Sequence, residues 1–330
     1  MPVSEAMSVA LITGITGQDG SYLSDRLVAE GVTVHGMVRP VDDATPPFRA
    51  SHPEIVLHDV DLADDAGVRD LVRATSPDEI YNLAGISSVA LSWEEPVLTG
   101  VLSGIAVASL LAAAWQVQEE TGRSVRVVQA SSAEIFGQPA RSPQDEQTLV
   151  RPVSPYGAAK AYGHHIAAVY RARGLHVASC IMFNHESPRR PLTFVTRKIT
   201  HATARLGLGM PGRLTLGNLE ARRDWGWAPD YVDAMVRAVR HDVADDFVIA
   251  TGVTHSVAEF VEVAMACVGV SDWRAHVETD EAFLRPIDAT ELVGDATKAR
   301  VELGWAATVD FETIVQRMVE HDLQLLREGR

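Results

Sequence analysis

Short β-branched runs alternate with stretches of helical apolar spacing through the first half of the chain. VALIT (residues 9 to 13), VTVHGMV (32 to 38), EIVLH (54 to 58), EIYNLA (79 to 84), VRVVQAS (125 to 131) and HVASCIMF (176 to 183) predict strands. Residues 21 to 30, 64 to 75, 97 to 120 and 156 to 173 predict the helices between them. Such alternation predicts a parallel sheet wrapped by helices. After Phe183 it breaks into loops rich in arginine, proline and glycine, with helices expected near 194 to 206, 229 to 239, 257 to 268 and 311 to 327. DYVDAMVRAVR followed by DFVIATG (246 to 252) has the pattern of a return to the main sheet, so the two parts interleave. The predicted fold is α/β: a Rossmann-type doubly wound parallel sheet over 7–183, rejoined by about 224–252, with a smaller, interleaved C-terminal substrate-binding domain from 184–223 and 253–330.

A chain of 330 residues with 46% hydrophobic content has ample material for one large or two coupled domains. No apolar run is expected to approach the ~20 residues that cross a bilayer, and the opening MPVSEAMSVALITG has no basic segment before its apolar stretch. A cytoplasmic protein is expected. The formal net charge of -15 argues against nucleic acid or an anionic membrane as the main partner, so any anionic ligand must be met by local positive groups. Cys180 and Cys267 lie far apart in apolar segments and are expected to be buried free thiols. The twelve histidines include no HExxH pair, and no metal site is expected.

TGITGQDG (13 to 20) follows a predicted strand and opens a helix, with Gly14, Gly17 and Gly20 spaced as G-x-x-G-x-x-G. A side chain at these positions would block the turn and keep backbone amides from a pyrophosphate at the helix N-terminus. Thr16, Gln18 and Asp19 share the loop, and Asp61, Leu62, Leu83 and Ala84 follow the third and fourth strands; all are candidate cofactor contacts. Asp61 is placed to meet an adenine ring or to sit in a solvated loop. At the end of the second strand stands Arg39, where an NAD site usually offers a carboxylate. An arginine there suits a 2′-phosphate and therefore NADP.

Tyr156 and Lys160, four apart on a predicted helix, share a face. A neighbouring ammonium is expected to lower the phenol pKa from about 10, so that Tyr156 takes a proton from a sugar hydroxyl while hydride leaves for a nicotinamide. Lys160 can also hold the cofactor ribose. Ser132, at the rim of the fifth strand, can orient the same hydroxyl, and Glu134 lies two residues on. Two roles are open to that carboxylate. It can cap a turn, or it can remove the acidic proton beside a newly formed ketone and protonate a leaving hydroxyl, which is elimination of water.

GITGQDGSYL, EIYNLAG, SSAEIFG, SPYGAAKAYG, FNHESPRR, FVTRKI, LGNLEARRDWG, DYVDAM, DFVIATG and LVGDATKA, in this order over nearly the whole chain, resemble the GDP-mannose 4,6-dehydratases, extended short-chain dehydrogenase/reductases. The resemblance implies tightly held NADP, a GDP-sugar substrate, and Ser132, Glu134, Tyr156 and Lys160 as the catalytic set. It implies Asn184 at the sugar diphosphate, Val195 and Lys198 at the guanine, and Arg222 at the phosphates, with Ser87, Glu186, Arg190, Leu216, Gly217, Asn218, Arg285 and Asp288 completing the substrate site.

Several positions depart from the family pattern. In NLAGISSV, Ile86 and Ser88 replace a glutamine and a histidine; Val101 and Ser103 replace acidic residues; Asp288 replaces a glutamate. The family's second arginine and serines after the second strand, which build a tetramer, give way to RPVDDATPPFR, so a homodimer through helices near 97 to 120 and 156 to 173 is expected. Two alternatives to GDP-mannose dehydration stay open: the same reaction on another GDP-sugar, such as a heptose, or a catalytically weak NADP- or GDP-sugar-binding protein.

Overall fold

A computed structural model of the chain describes residues 8–283, 287 and 291–329. Its strands are β1 (Val9–Thr13), β2 (Thr33–Val38), β3 (Val56–Asp59), β4 (Glu79–Asn82), β5 (Arg126–Ser132), β6 (His176–Met182), β7 (Asn184–Glu186), β8 (Leu214–Leu216), β9 (Arg222–Trp227), β10 (Asp246–Ile249), β11 (Thr254–Ser256), β12 (Val277–Thr279) and β13 (Glu291–Leu292). The α-helices are α1 (Gln18–Ala29), α2 (Thr45–Ser51), α3 (Asp65–Thr75), α4 (Val89–Glu94), α5 (Pro96–Gly100), α6 (Ala106–Thr121), α7 (Pro155–Arg173), α8 (Val195–Gly207), α9 (Ala228–Arg240), α10 (Val257–Ala266), α11 (Thr297–Glu302) and α12 (Phe311–Arg327).

The large sheet has the order β10-β6-β5-β4-β1-β2-β3, parallel throughout. Its apolar residues point to both faces, as a sheet covered on two sides requires. Leu11, Ile80 and Val127 pack with Val107, Leu110 and Leu111 of α6, while Ile12, Tyr81 and Val128 share a cluster with Met235 and Val239 of α9. The chain leaves β1 toward β2 and β3 on one side and returns through β4 on the other, so the strand order reverses between β1 and β4. Ligands bind outside the strand ends at such a point. Thr13 seals its floor, its hydroxyl donating to Asn82 Oδ1 at 2.8 Å and accepting from the Leu83 and Ala84 amides at 3.1 Å.

The smaller lobe holds a four-stranded sheet of β7, β9, β11 and β13, a β8–β12 pair, and α8, α10 and α12. Trp225, Phe260, Phe311, Ile314 and Met318 form its core. The chain crosses back through α9 and β10, which pairs with β6 at the edge of the large sheet.

Two expectations are corrected. Residues Pro96–Thr121 form one helical run of 26 residues, long and apolar enough to cross a membrane by length and composition. Scattered Ser, Thr and Gly disguise it, yet residues 96 to 118 contain no charge. Half of its most apolar window is buried inside the fold, against α3 and the sheet. Cys180 is buried, but Cys267 is exposed at the end of α10, where the helix turns its last residues outward.

Candidate active site

The glycine loop fits a pyrophosphate for a local reason. Gly14 has φ of 70°, and a Cβ there would lie 2.9 Å from the Ala84 amide nitrogen; one on Gly20 would lie 2.4 Å from Gly14 O. α1 begins with no side-chain cap at Gly17, which leaves its first amides to a bound anion. Thr16 donates to Asp42 at 3.2 Å. Asp61, two residues beyond β3, accepts from the Ala63 amide, and the neighbouring Leu62 is buried in the core. Arg39 follows β2, its side chain largely exposed and 3.1 Å from Asp42.

A cavity of about 370 Å3 opens beside this crevice, and Ser132, Glu134, Tyr156 and Lys160 all line it. β5 delivers the first pair to its rim. Ser154 caps α7 by accepting from the Gly157 amide at 3.0 Å, Pro155 sits in the first turn, and the helix then presents Tyr156 and Lys160 on one face. The turn after β5 is capped by Ser132, whose hydroxyl accepts from the Glu134 amide at 3.2 Å.

The expected electrostatics of the pair are corrected. Burial pushes the Tyr156 phenol up to about 12; a hydrogen bond with Ser132 pulls it down, and the Glu134 charge adds to the rise. Burial likewise lowers Lys160 to about 8, against the attraction of Asp19. The Lys160 ammonium lies 5.9 Å from the Tyr156 ring centroid and donates to Ala130 O at 2.9 Å, so it is not spent on the phenol. Desolvation outweighs the neighbouring charge.

From the smaller lobe, Asn184, Glu186, Arg190, Val195, Lys198, Leu216 and Gly217 line the same cavity, as do Asp19, Leu83 and Ser87 from the large one. Arg190 stacks on Phe194 at 3.8 Å with its Nε 3.4 Å from Glu186, and Lys198 lies 3.9 Å from the Phe283 ring centroid. Arg222 and Asn218 are not among the lining residues. Arg222 is tied to Thr254 O at 2.7 Å and Glu259 at 3.0 Å, and Asn218 accepts from the Glu220 amide. Arg285 and Asp288 lie outside the described residues. Ser88 lines the wall but caps α4, accepting from Leu91 at 3.2 Å, and Ser103, on a π-helical turn between α5 and α6, bonds both the amide and the carbonyl of Ile86.

His185 escaped the sequence reading. Its Nδ1 lies 2.7 Å from Phe183 O and its Nε2 2.9 Å from the Asp19 carboxylate. An imidazole between two acceptors is placed to donate from both ring nitrogens, an arrangement that favours its charged form. Burial opposes that charge, yet the attraction and hydrogen bond of Asp19 raise its pKa, and Asp19 stays below the usual carboxylate value despite its own burial. Gln18 strengthens the tie, donating to His185 O at 3.1 Å and accepting from Ser187 at 2.8 Å, while Arg189 reaches Asp25 of α1 at 2.8 Å. The side chains of Gln18 and Asp19 thus bind the smaller lobe to the glycine loop.

A parallel sheet with a glycine loop at its switch point and a Tyr/Lys pair on the helix after β5 defines the nicotinamide-dependent short-chain dehydrogenase/reductases. The structure superposes on the UDP-glucose 4-epimerase of Thermus thermophilus, solved with NAD, with a TM-score of 0.82 at 26% identity, covering 95% of this chain and 98% of that one. A family model for GDP-mannose 4,6 dehydratase matches residues 11–318. GDP-mannose 4,6 dehydratase 1 of Arabidopsis thaliana is 42% identical over 98% of this chain and 91% of its own. The human GDP-mannose 4,6 dehydratase is 40% identical over 97% and 92%. The chain belongs to the GDP-mannose 4,6-dehydratase family.

Proposed function

We propose that the protein converts GDP-mannose to GDP-4-keto-6-deoxymannose by moving hydride from C4 to C6 with loss of water. The observation that carries this reading is the convergence of Glu134 with Tyr156, Lys160 and Ser132 on one cavity beside the glycine loop. Tyr156 takes the O4 proton, Ser132 orients that hydroxyl, and Glu134 removes the proton at C5 and returns one to the departing 6-hydroxyl. A bound oxidised nicotinamide supplies the hydride acceptor and a positive charge that favours the Tyr156 phenolate. Lys160 would hold the cofactor ribose, and the amides of Gln18 to Gly20, in the first turn of α1, the pyrophosphate. Arg190 and Lys198 supply the local positive charge that a nucleoside diphosphate needs in so acidic a chain. NADP is the cofactor this reading adopts, because Arg39 stands where an NAD site usually offers a carboxylate.

Incubation with GDP-mannose and no added reductant is expected to yield a nucleotide sugar lighter by one water, with no net change in cofactor redox state. Tyr156→Phe is expected to abolish the product. Unchanged GDP-mannose with folded, cofactor-loaded protein would overturn the reading.

The homodimer is proposed from an apolar face. Val97, Leu98 and Ile105 are 79%, 45% and 57% exposed, and Tyr162 and Val169 of α7 are 47% and 59% exposed. Apolar area of this extent on adjacent helices suits a second copy, pairing helix against helix. Light scattering is expected to give twice the chain mass of 35.7 kDa, and Ile105→Glu to halve it. A monomer in the parent protein would remove the proposal.

A further inference from the structure

Beside the glycine loop, at the C-terminal end of β2, lies a second cavity of about 420 Å3 whose walls include Arg39, Asp42, Thr45, Arg49 and Asp59. Its charges are not equivalent. Asp42 is held by Arg39 and Thr45 at 3.1 Å each and by Thr16 of the glycine loop at 3.2 Å, so Arg39 already has a counter-charge in place. Arg49 makes no ion pair or hydrogen bond among the described residues. It is the guanidinium in this cavity that the protein leaves to a ligand.

The arginine is not on a loose loop. α2 is fixed by Phe48, buried in the main core and stacked on His52 at 4.2 Å, and His52 in turn lies 2.9 Å from Asp25 of α1. Thr45, the first residue of α2, is pinned to Asp42. Arg49 follows Phe48 directly, so the buried ring sets the place from which its side chain enters the cavity wall. A 2′-phosphate, a dianion, is poorly matched by Arg39 alone when Asp42 neutralises it. Asp59, exposed on the β3 side, adds negative charge and confines a phosphate to the wall formed by Arg39 and Arg49.

We propose that Arg49 is the second arginine of a 2′-phosphate site, so that preference for NADP over NAD comes from helix α2 and not from the loop residue after Arg39. This rests on the NADP reading above, and binding measurements separate the two. The dissociation constants of NADP and NAD are to be measured calorimetrically for the parent protein, Arg49→Gln and Arg49→Lys. Arg49→Gln is expected to weaken NADP by about 10- to 100-fold and to leave NAD within about twofold, the range for losing one charge-assisted interaction. Arg49→Lys keeps the charge without the fork and is expected to fall between. A parent that prefers NADP, with Arg49→Gln weakening both cofactors equally or neither, overturns the assignment of Arg49 alone. A parent that binds NAD as tightly as NADP overturns the NADP reading and this inference with it.

Discussion

Glu134→Gln is expected to bind cofactor and GDP-mannose normally and to lower formation of the 4-keto-6-deoxy product by about 10²- to 10⁴-fold, the usual contribution of a positioned acid/base. The amide nearly matches the carboxylate in shape, and the Ser132 hydroxyl still accepts from the backbone amide of residue 134, so that cap is kept. What the amide cannot do is take a proton from C5. Oxidation at C4 depends on Tyr156 and should survive. A single turnover is therefore expected to stall with the cofactor reduced and the sugar a ketone that has kept its 6-hydroxyl. Absorbance of reduced nicotinamide and mass spectrometry of the sugar read the two events separately, and full turnover by the variant would remove the carboxylate from the chemistry.

The second large effect is on stability. Asp322, on α12, is fully buried and accepts from Thr200 of α8 at 2.6 Å and from the Arg197 guanidinium, itself buried. Asp322→Ala strands that guanidinium in a dry interior, and a loss of about 3 to 5 kcal/mol is expected in denaturant unfolding. The partner variant Arg197→Met together with Asp322→Leu is expected to regain most of it, because an apolar pair of similar volume removes the stranded charge. Since α8 also carries Val195 and Lys198, the single variant is expected to raise KM for the nucleotide sugar more than it lowers kcat. A change below about 1 kcal/mol would mean that water reaches Arg197.

The large sheet was legible because buried parallel strands are written as short β-branched runs: six of its seven strands fall within a few residues of those runs, and the seventh, β10, lies in the DFVIATG segment expected to return to the sheet. The shorter helices were not. TPPFRAS has two prolines, which read as a loop, yet they sit in the first turn of α2, where their missing amides are not needed. At the site, Ser132, Glu134, Tyr156 and Lys160 converge because strand β5 and helix α7 each carry two of them at fixed spacing. Burial is what the sequence could not report, and it reverses the expected shift at Tyr156. Direction was equally hidden. Arg222 and Arg223 are adjacent on β9 and point to opposite faces, and the first turns to Glu259 instead of the cavity. His185 has no local signature, since its partner Asp19 lies 166 residues away.

The path of the chain between its lobes carries a consequence for how such a molecule can be altered by inheritance. Strands β7 to β9 belong to the smaller lobe, α9 and β10 to the large sheet, and β11, α10 and α12 to the smaller lobe again. Neither lobe is a continuous stretch of gene. A single crossover placed between them would leave both with a missing wall, so one lobe cannot be exchanged as one continuous piece.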